Sequence, residues 1–148
     1  MKLKIGDKAP DFTTLNQRGE TIKLNDFKSK KVALYFYPQD DTPTCTNQAC
    51  NLRDNHEMLT SKGFTIYGIS PDGMKDHVKF IEKFNLPFDL LIDEDLVIAN
   101  KFGVWAEKIN FGRKYMGIVR STFIIENGII TNIIGKVFSQ KHAGQILK

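Results

Sequence analysis

Cysteine is scarce in this chain: two residues in 148, five positions apart. Two thiols cannot staple a small secreted fold or build a four-thiolate zinc site, although they suffice for redox chemistry. Cys-x-x-Cys is absent, and one Cys-x4-Cys with scattered histidines lacks the paired ligand spacing of zinc sites. Long apolar runs are missing as well. The longest, Val32 to Tyr37, falls far short of the roughly 20 residues needed to span a bilayer. Met1-Lys2-Leu3-Lys4-Ile5-Gly6 has no apolar core of a secretory signal. A cytoplasmic protein is therefore expected, where thiols are kept reduced and a cysteine pair is more often catalytic or metal-binding than a permanent staple. Gly63, Gly68 and Gly73 do not form a Walker or Rossmann phosphate loop. No repeat, low-complexity tract or linker divides the sequence, and residues 1–148 are expected to form one domain.

What is present suits a folded domain. Hydrophobic residues make up 41% and charged residues 26%, which argues against long disorder. A chain near this length buries about 70% of its unfolded surface. The net charge of +4 is uneven: residues 99–148 hold 8 basic and 2 acidic side chains, whereas residues 1–98 hold 13 and 15. Beyond Lys30-Lys31 and Arg113-Lys114 there is no dense basic run. The excess reads as a solvated surface, and neither a nucleic-acid nor a membrane partner is expected.

Short strands around Phe12–Leu15 and Thr21–Leu24 predict an N-terminal β-hairpin. Val32–Tyr37 reads as a strand buried on both faces, ended by Pro38. Thr42 or Thr44 can cap a following helix, with Pro43 at its first position, running to about Lys62 before Gly63. Ala49, Leu52 and Leu59 share its apolar stripe, with Met58 beside it. Phe64–Ile69 predicts a second buried strand. Met74–Phe84 predicts a helix with Val78, Ile81 and Phe84 on one face. Phe88–Ile92 reads as a strand, Asp93–Phe102 as a helix and Val104–Gly117 as an irregular excursion. Thr122–Ile125 and Ile129–Ile134 flank the turn Glu126-Asn127-Gly128, and Ser139 caps a final helix. Strands alternating with helices, then a hairpin and a helix, indicate an α/β domain compatible with a thioredoxin-like layering.

Cys45 follows a buried strand and falls in the first turn of a helix. The N–H groups there have no intrahelical partners, and the aligned peptide dipoles leave a partial positive charge. Both favour the thiolate, which is the nucleophile. Histidine activation is not indicated. His56 lies about 16 Å along the same helix, nothing places His77 or His142 nearby, and all three read as exposed. Asp40 and Asp41 oppose a nearby thiolate if they lie close, and otherwise solvate the loop. On a regular helix the Cα atoms of Cys45 and Cys50 are about 8.6 Å apart, beyond the roughly 4.4–6.8 Å of a disulfide. If they bond during turnover, the helix start must unwind.

Pro38, Thr42 and Cys45 spell Pro-x-x-x-Thr-x-x-Cys. Together with the strand before and the helix after, this resembles the active-site signature of the peroxiredoxins. Cys50, five residues on, is similar to the second cysteine of the bacterioferritin comigratory protein or peroxiredoxin Q subfamily. Gly6-Asp7-Lys8-Ala9-Pro10-Asp11-Phe12, Gly68-Ile69-Ser70, Lys114-Tyr115-Met116-Gly117-Ile118 and Arg120-Ser121-Thr122-Phe123 resemble further segments, so the likeness covers nearly the whole chain. Thr44 departs from it, standing where this subfamily commonly has Gly.

The resemblance implies a thioredoxin-like fold with a central mixed sheet flanked by helices. It implies a thiol peroxidase, with Cys45 peroxidatic and Cys50 resolving. Thr42 and Arg120 would hold the peroxide and stabilise the thiolate, and Pro38 would shape and shield the pocket. Hydrogen peroxide or an organic hydroperoxide would be the substrate, and thioredoxin or a similar dithiol would reduce the resulting disulfide. No cofactor is implied, and a monomer is expected. Two other readings stay open on the residues: a thiol–disulfide oxidoreductase on the same fold, and a redox-switched binding module using the basic C-terminal third.

Overall fold

The run Val32–Tyr37 organises the structure, a computed structural model that describes residues 3–27 and 31–148. Lys2, Lys28 and Lys30, which entered the charge reading, and Met1 of the opening segment lie outside the described residues. Two short strands, β1 (Thr13–Leu15) and β2 (Thr21–Lys23), pair antiparallel as the expected hairpin. Next come β3 (Lys31–Phe36), α1 (Pro43–Asp54), α2 (His56–Ser61), β4 (Phe64–Ser70), α3 (Met74–Phe84), β5 (Asp89–Ile92) and α4 (Val97–Lys101). The chain continues through β6 (Trp105–Asn110), β7 (Arg113–Ile118), β8 (Ser121–Glu126), β9 (Ile129–Ile134) and α5 (His142–Leu147).

The main sheet has the order β5-β4-β3-β8-β9. It is parallel from β5 to β3 and antiparallel from β3 to β9, hence mixed and thioredoxin-like. Alternation along β3 feeds a core on each face. Val32, Leu34 and Phe36 join one with Phe102 and Phe123, whose rings lie 5.0 Å apart. Ala33, Tyr35 and Tyr37 join the other with Cys45, Ala49 and Leu52 of α1 and Phe80 of α3. The second core underlies the first turn of α1.

Several elements depart from the sequence reading. The helix expected to reach Lys62 is interrupted at Asn55, whose backbone leaves helical geometry at φ −111° and ψ 11° and whose side chain donates to the Asn51 carbonyl at 2.8 Å beside its own N–H at 3.2 Å. Met58 is exposed, whereas Ala49, Leu52 and Leu59 are buried as expected. Helix α3 buries His77 and Phe80 most completely, with Val78, Ile81 and Phe84 only half-buried. Helix α4 is four residues shorter at its start. Asp93 stays outside it and accepts from Ile98 and Ala99 N–H at 2.9 and 2.8 Å. Helix α5 begins at His142 rather than near Ser139. Residues 105–118 are not irregular but a β-hairpin turning at Phe111-Gly112, both at positive φ. Its strands are largely exposed, so no period-2 apolar pattern marked them.

Gly68 sits directly between Tyr35 on β3 and Leu90 on β5 in the strand registers. A Cβ there would lie 2.7 Å from Leu90 Cδ2 and 2.8 Å from Tyr35 Oη. Gly68→Ala is therefore expected to cost about 1–3 kcal/mol by overpacking beneath the Cys45 face, read as a lower urea midpoint.

Candidate active site

The chain leaves β3 at Phe36, and Tyr37 N–H still bonds the Ile69 carbonyl at 3.1 Å. A short loop then turns into α1, with Asp41 in the left-handed region at φ 57°. Thr42 takes the N-cap position with extended backbone, its carbonyl accepting from Thr46 N–H at 2.8 Å, and Pro43 opens the helix. The Thr42 hydroxyl does not cap; it donates to the Gln39 carbonyl at 3.1 Å. Cys45 is thus the third residue of α1, among N–H groups that lack intrahelical partners. Its side chain is buried, and Cys50, further along the same helix, is half-buried and also a free thiol.

Sheet register delivers the arginine. Ser121 at the start of β8 pairs with Phe36 at the end of β3, which puts Arg120 beside the start of α1. Arg120 Nη2 donates to Cys45 Sγ at 3.1 Å, and Nη1 donates to Gln48 Oε1 at 2.5 Å. Gln48 is one turn after Cys45 on the same helix face, so a single helix presents both the thiol and the group that aims the guanidinium. Gln48 was missed from the sequence; the signal was its i+3 spacing from the cysteine. Lys108 on β6 was missed too. Its Nζ donates to the Ile118 carbonyl at 2.8 Å; burial and the Arg120 charge push it below the usual lysine range, with the Cys45 charge opposing. The structure thus unites Cys45 with Arg120. Pro38 and Thr42 stand at opposite ends of the preceding loop, and neither side chain hydrogen-bonds the thiol.

The histidines are not exposed as expected. His77 and His142 are fully buried and His56 is half-buried. None hydrogen-bonds Cys45. His142 bridges Thr122 Oγ1 at 2.7 Å and Gln145 Oε1 at 2.9 Å, while His77 lies between Asp40 Oδ2 and the Leu91 carbonyl. The two aspartates also part company. Asp41 is exposed and pairs with Lys83 at 2.8 Å, whereas Asp40 is buried. Next to Cys50, Asn51 ties α1 to the C-terminal segment: Nδ2 donates to the Gln140 carbonyl at 3.0 Å and Oδ1 accepts from Ala143 N–H at 2.8 Å.

The model of the AhpC/TSA family matches residues 5–133. The chain belongs to the AhpC/TSA family. It is 47% identical to peroxiredoxin Bcp of Bacillus subtilis (strain 168), over all of this chain and 95% of that protein. It is 42% identical to peroxiredoxin Bcp of Escherichia coli (strain K12), over 98% and 94%. Among solved structures, a mutant of Xanthomonas campestris peroxiredoxin Q superposes with a TM-score of 0.88 at 29% identity, over 99% and 94% of the two chains. A mutant of Xylella fastidiosa PrxQ does so with 0.92 at 27%, over 99% and 94%. The resemblance read from Pro38, Thr42 and Cys45 is therefore borne out, and this AhpC/TSA member is a thiol-dependent peroxidase, an oxidoreductase.

Replacing the arginine should expose its weight. Arg120→Met keeps the side-chain length but removes the donors to Cys45 and Gln48. The single-turnover rate with peroxide is expected to fall on the order of 10²–10³-fold, read by stopped-flow fluorescence of Trp105. A second expectation concerns His142, which burial, aided by the Arg120 charge, pushes below 6.5 despite its bond to Gln145. The unfolded chain then takes up the proton first. Stability is full above the unfolded value and declines as pH falls through 6.5 toward the lower folded value, by at most about 1.4 kcal/mol per pH unit. Urea unfolding of wild type and His142→Gln between pH 5 and 8 checks this; the variant's slope should be shallower, with the remainder coming from His56, which burial also lowers.

Proposed function

We propose that Cys45 is the peroxidatic cysteine and Cys50 the resolving cysteine of a peroxidase acting on hydrogen peroxide and organic hydroperoxides. The observation that carries this reading is the 3.1 Å contact from the Arg120 guanidinium to Cys45 Sγ at a helix N-terminus. An always-charged fork of donors there stabilises the thiolate and the negative charge growing on the leaving oxygen.

The thiolate attacks one peroxide oxygen, the O–O bond breaks, and the departing alkoxide or hydroxide takes a proton to leave as alcohol or water. Cys45 becomes a sulfenic acid. Thr42 and Arg120 hold the peroxide, and Pro38 shields the pocket from bulk water. The Cys50 thiolate then attacks the Cys45 sulfur, the S–O bond breaks, and the departing hydroxide takes up the proton that Cys50 gave to solvent and leaves as water as the disulfide closes. Because i and i+5 lie too far apart on an intact helix, α1 unwinds in this step. A dithiol protein of the thioredoxin kind returns both thiols by exchange. The enzyme works as a monomer in the cytoplasm, without nucleic-acid or membrane partners. Among the described residues, no helix is long and apolar enough to cross a membrane.

The test is a thioredoxin-coupled peroxide-consumption assay on wild type, Cys45→Ser and Cys50→Ser. Cys45→Ser should abolish turnover; Cys50→Ser should react once per site and accumulate sulfenic acid. Amide exchange at residues 46–52 should accelerate in the oxidised wild type. Full turnover by Cys45→Ser refutes the mechanism, and equal protection in both redox states refutes the unwinding.

A further inference from the structure

Asp40 stands five residues before Cys45, in the loop that sets the first turn of α1. A bare carboxylate so near would oppose the thiolate. Both of its oxygens are instead engaged inside the protein. Oδ1 accepts from Tyr37 Oη at 2.5 Å, and Oδ2 lies 2.6 Å from His77 Nδ1. The Asp40 backbone N–H donates to Asp72 Oδ2 at 2.7 Å.

His77 fixes the proton count. Its Nε2 faces the Leu91 carbonyl at 2.8 Å, an acceptor only, so Nε2 carries hydrogen. The short Nδ1–Oδ2 contact then needs a second proton, since two lone pairs would repel. Whether that proton rests on nitrogen or oxygen, the pair as a whole is neutral. Resting on the peroxidase reading above, we propose that His77 is a positioning residue of this site: the proton it shares with Asp40 cancels the loop carboxylate and pins the Cys45 loop to α3 and β5.

The surroundings fit this role. The groups facing the pair are the Tyr37 hydroxyl beyond β3, Asp72 after β4 and the Leu91 carbonyl on β5; Lys83 of α3 is occupied outside by Asp41. Burial pushes Asp72 up, against the bonds from Asp40 N–H and Ser70. Burial alone would push His77 down, but the bond and charge of Asp40 outweigh it and hold the imidazole above its ordinary value. The shared proton therefore persists to higher pH than a free histidine would keep it. Tyr37 and Tyr35 link the two sites: Tyr37, which bonds Asp40, stacks on Tyr35 at 5.2 Å, and both rings share one buried cluster with Cys45.

The test uses Cys50→Ser protein, which leaves one thiol, with His77→Asn or Asp40→Asn/His77→Asn added. The rate of iodoacetamide alkylation is followed against pH. His77→Asn should move the midpoint up by about one pH unit, roughly tenfold less thiolate at pH values below both midpoints. Adding Asp40→Asn should return it close to the parent. An unmoved midpoint in His77→Asn, or no recovery in the double variant, overturns the proposal; a merely structural role lowers thermal stability without that pattern. Wild-type protein gives a reading independent of variant folding. By ¹⁵N NMR, His77 should titrate at higher pH than His56, which burial lowers; the reverse order overturns the proposal. Neither readout involves peroxide, so failure here is distinct from failure of the peroxidase reading, which would appear as no turnover in wild type.

Discussion

The contact between Arg120 and Cys45 joins residues 75 positions apart, and the rest of the fold serves to make it possible. It exists because β8 runs antiparallel to β3 with Ser121 opposite Phe36. A slip of that register by one residue would turn the side chains of β8 to the opposite face and carry Arg120 away from α1. The register is held by burial on both faces of β3 and β8, where Phe36, Phe102 and Phe123 form one packed aromatic group. Core packing and the geometry at the thiol are in this sense one constraint.

A second constraint concerns charge. The Arg120 guanidinium meets the thiol, while the carboxylates that the sequence places just before it are handled separately. Asp41 turns outward to Lys83, and Asp40 turns inward to Tyr37 and His77. The left-handed residue Asp41 is where the two directions part. Placing such a conformation on an aspartate is less costly than on a bulky residue, since its short polar side chain tolerates the αL region.

Much of this was legible in the sequence. The strand Val32–Tyr37, Pro43 at the helix start and the position of Cys45 follow from local chemistry, which depends only on neighbours in the chain. The hairpin β6–β7 was not legible, because exposed strands have no reason to alternate apolar and polar residues. Asn55 was not, because the departure of one residue's backbone from helical geometry is something a helix periodicity does not record. His77 was hidden for a different reason. It occupies a buried position of α3 beside Phe80, where a polar residue reads as solvent-facing unless its partners, Asp40 and the Leu91 carbonyl, are known in space. Gln48 lay in plain view, but its role depends on an arginine that only the sheet brings near.

The break at Asn55 has a bearing on any helix that opens during catalysis. Melting is cooperative and spreads along a helix until something stops it. Here the stop is built in shortly past Cys50: α2 begins afresh at His56 and seats Leu59 in the core on its own account. Under the unwinding proposed above, disorder that starts at the thiol would have a short course to run, and the strand and core beyond it need not share in the cost of a cycle.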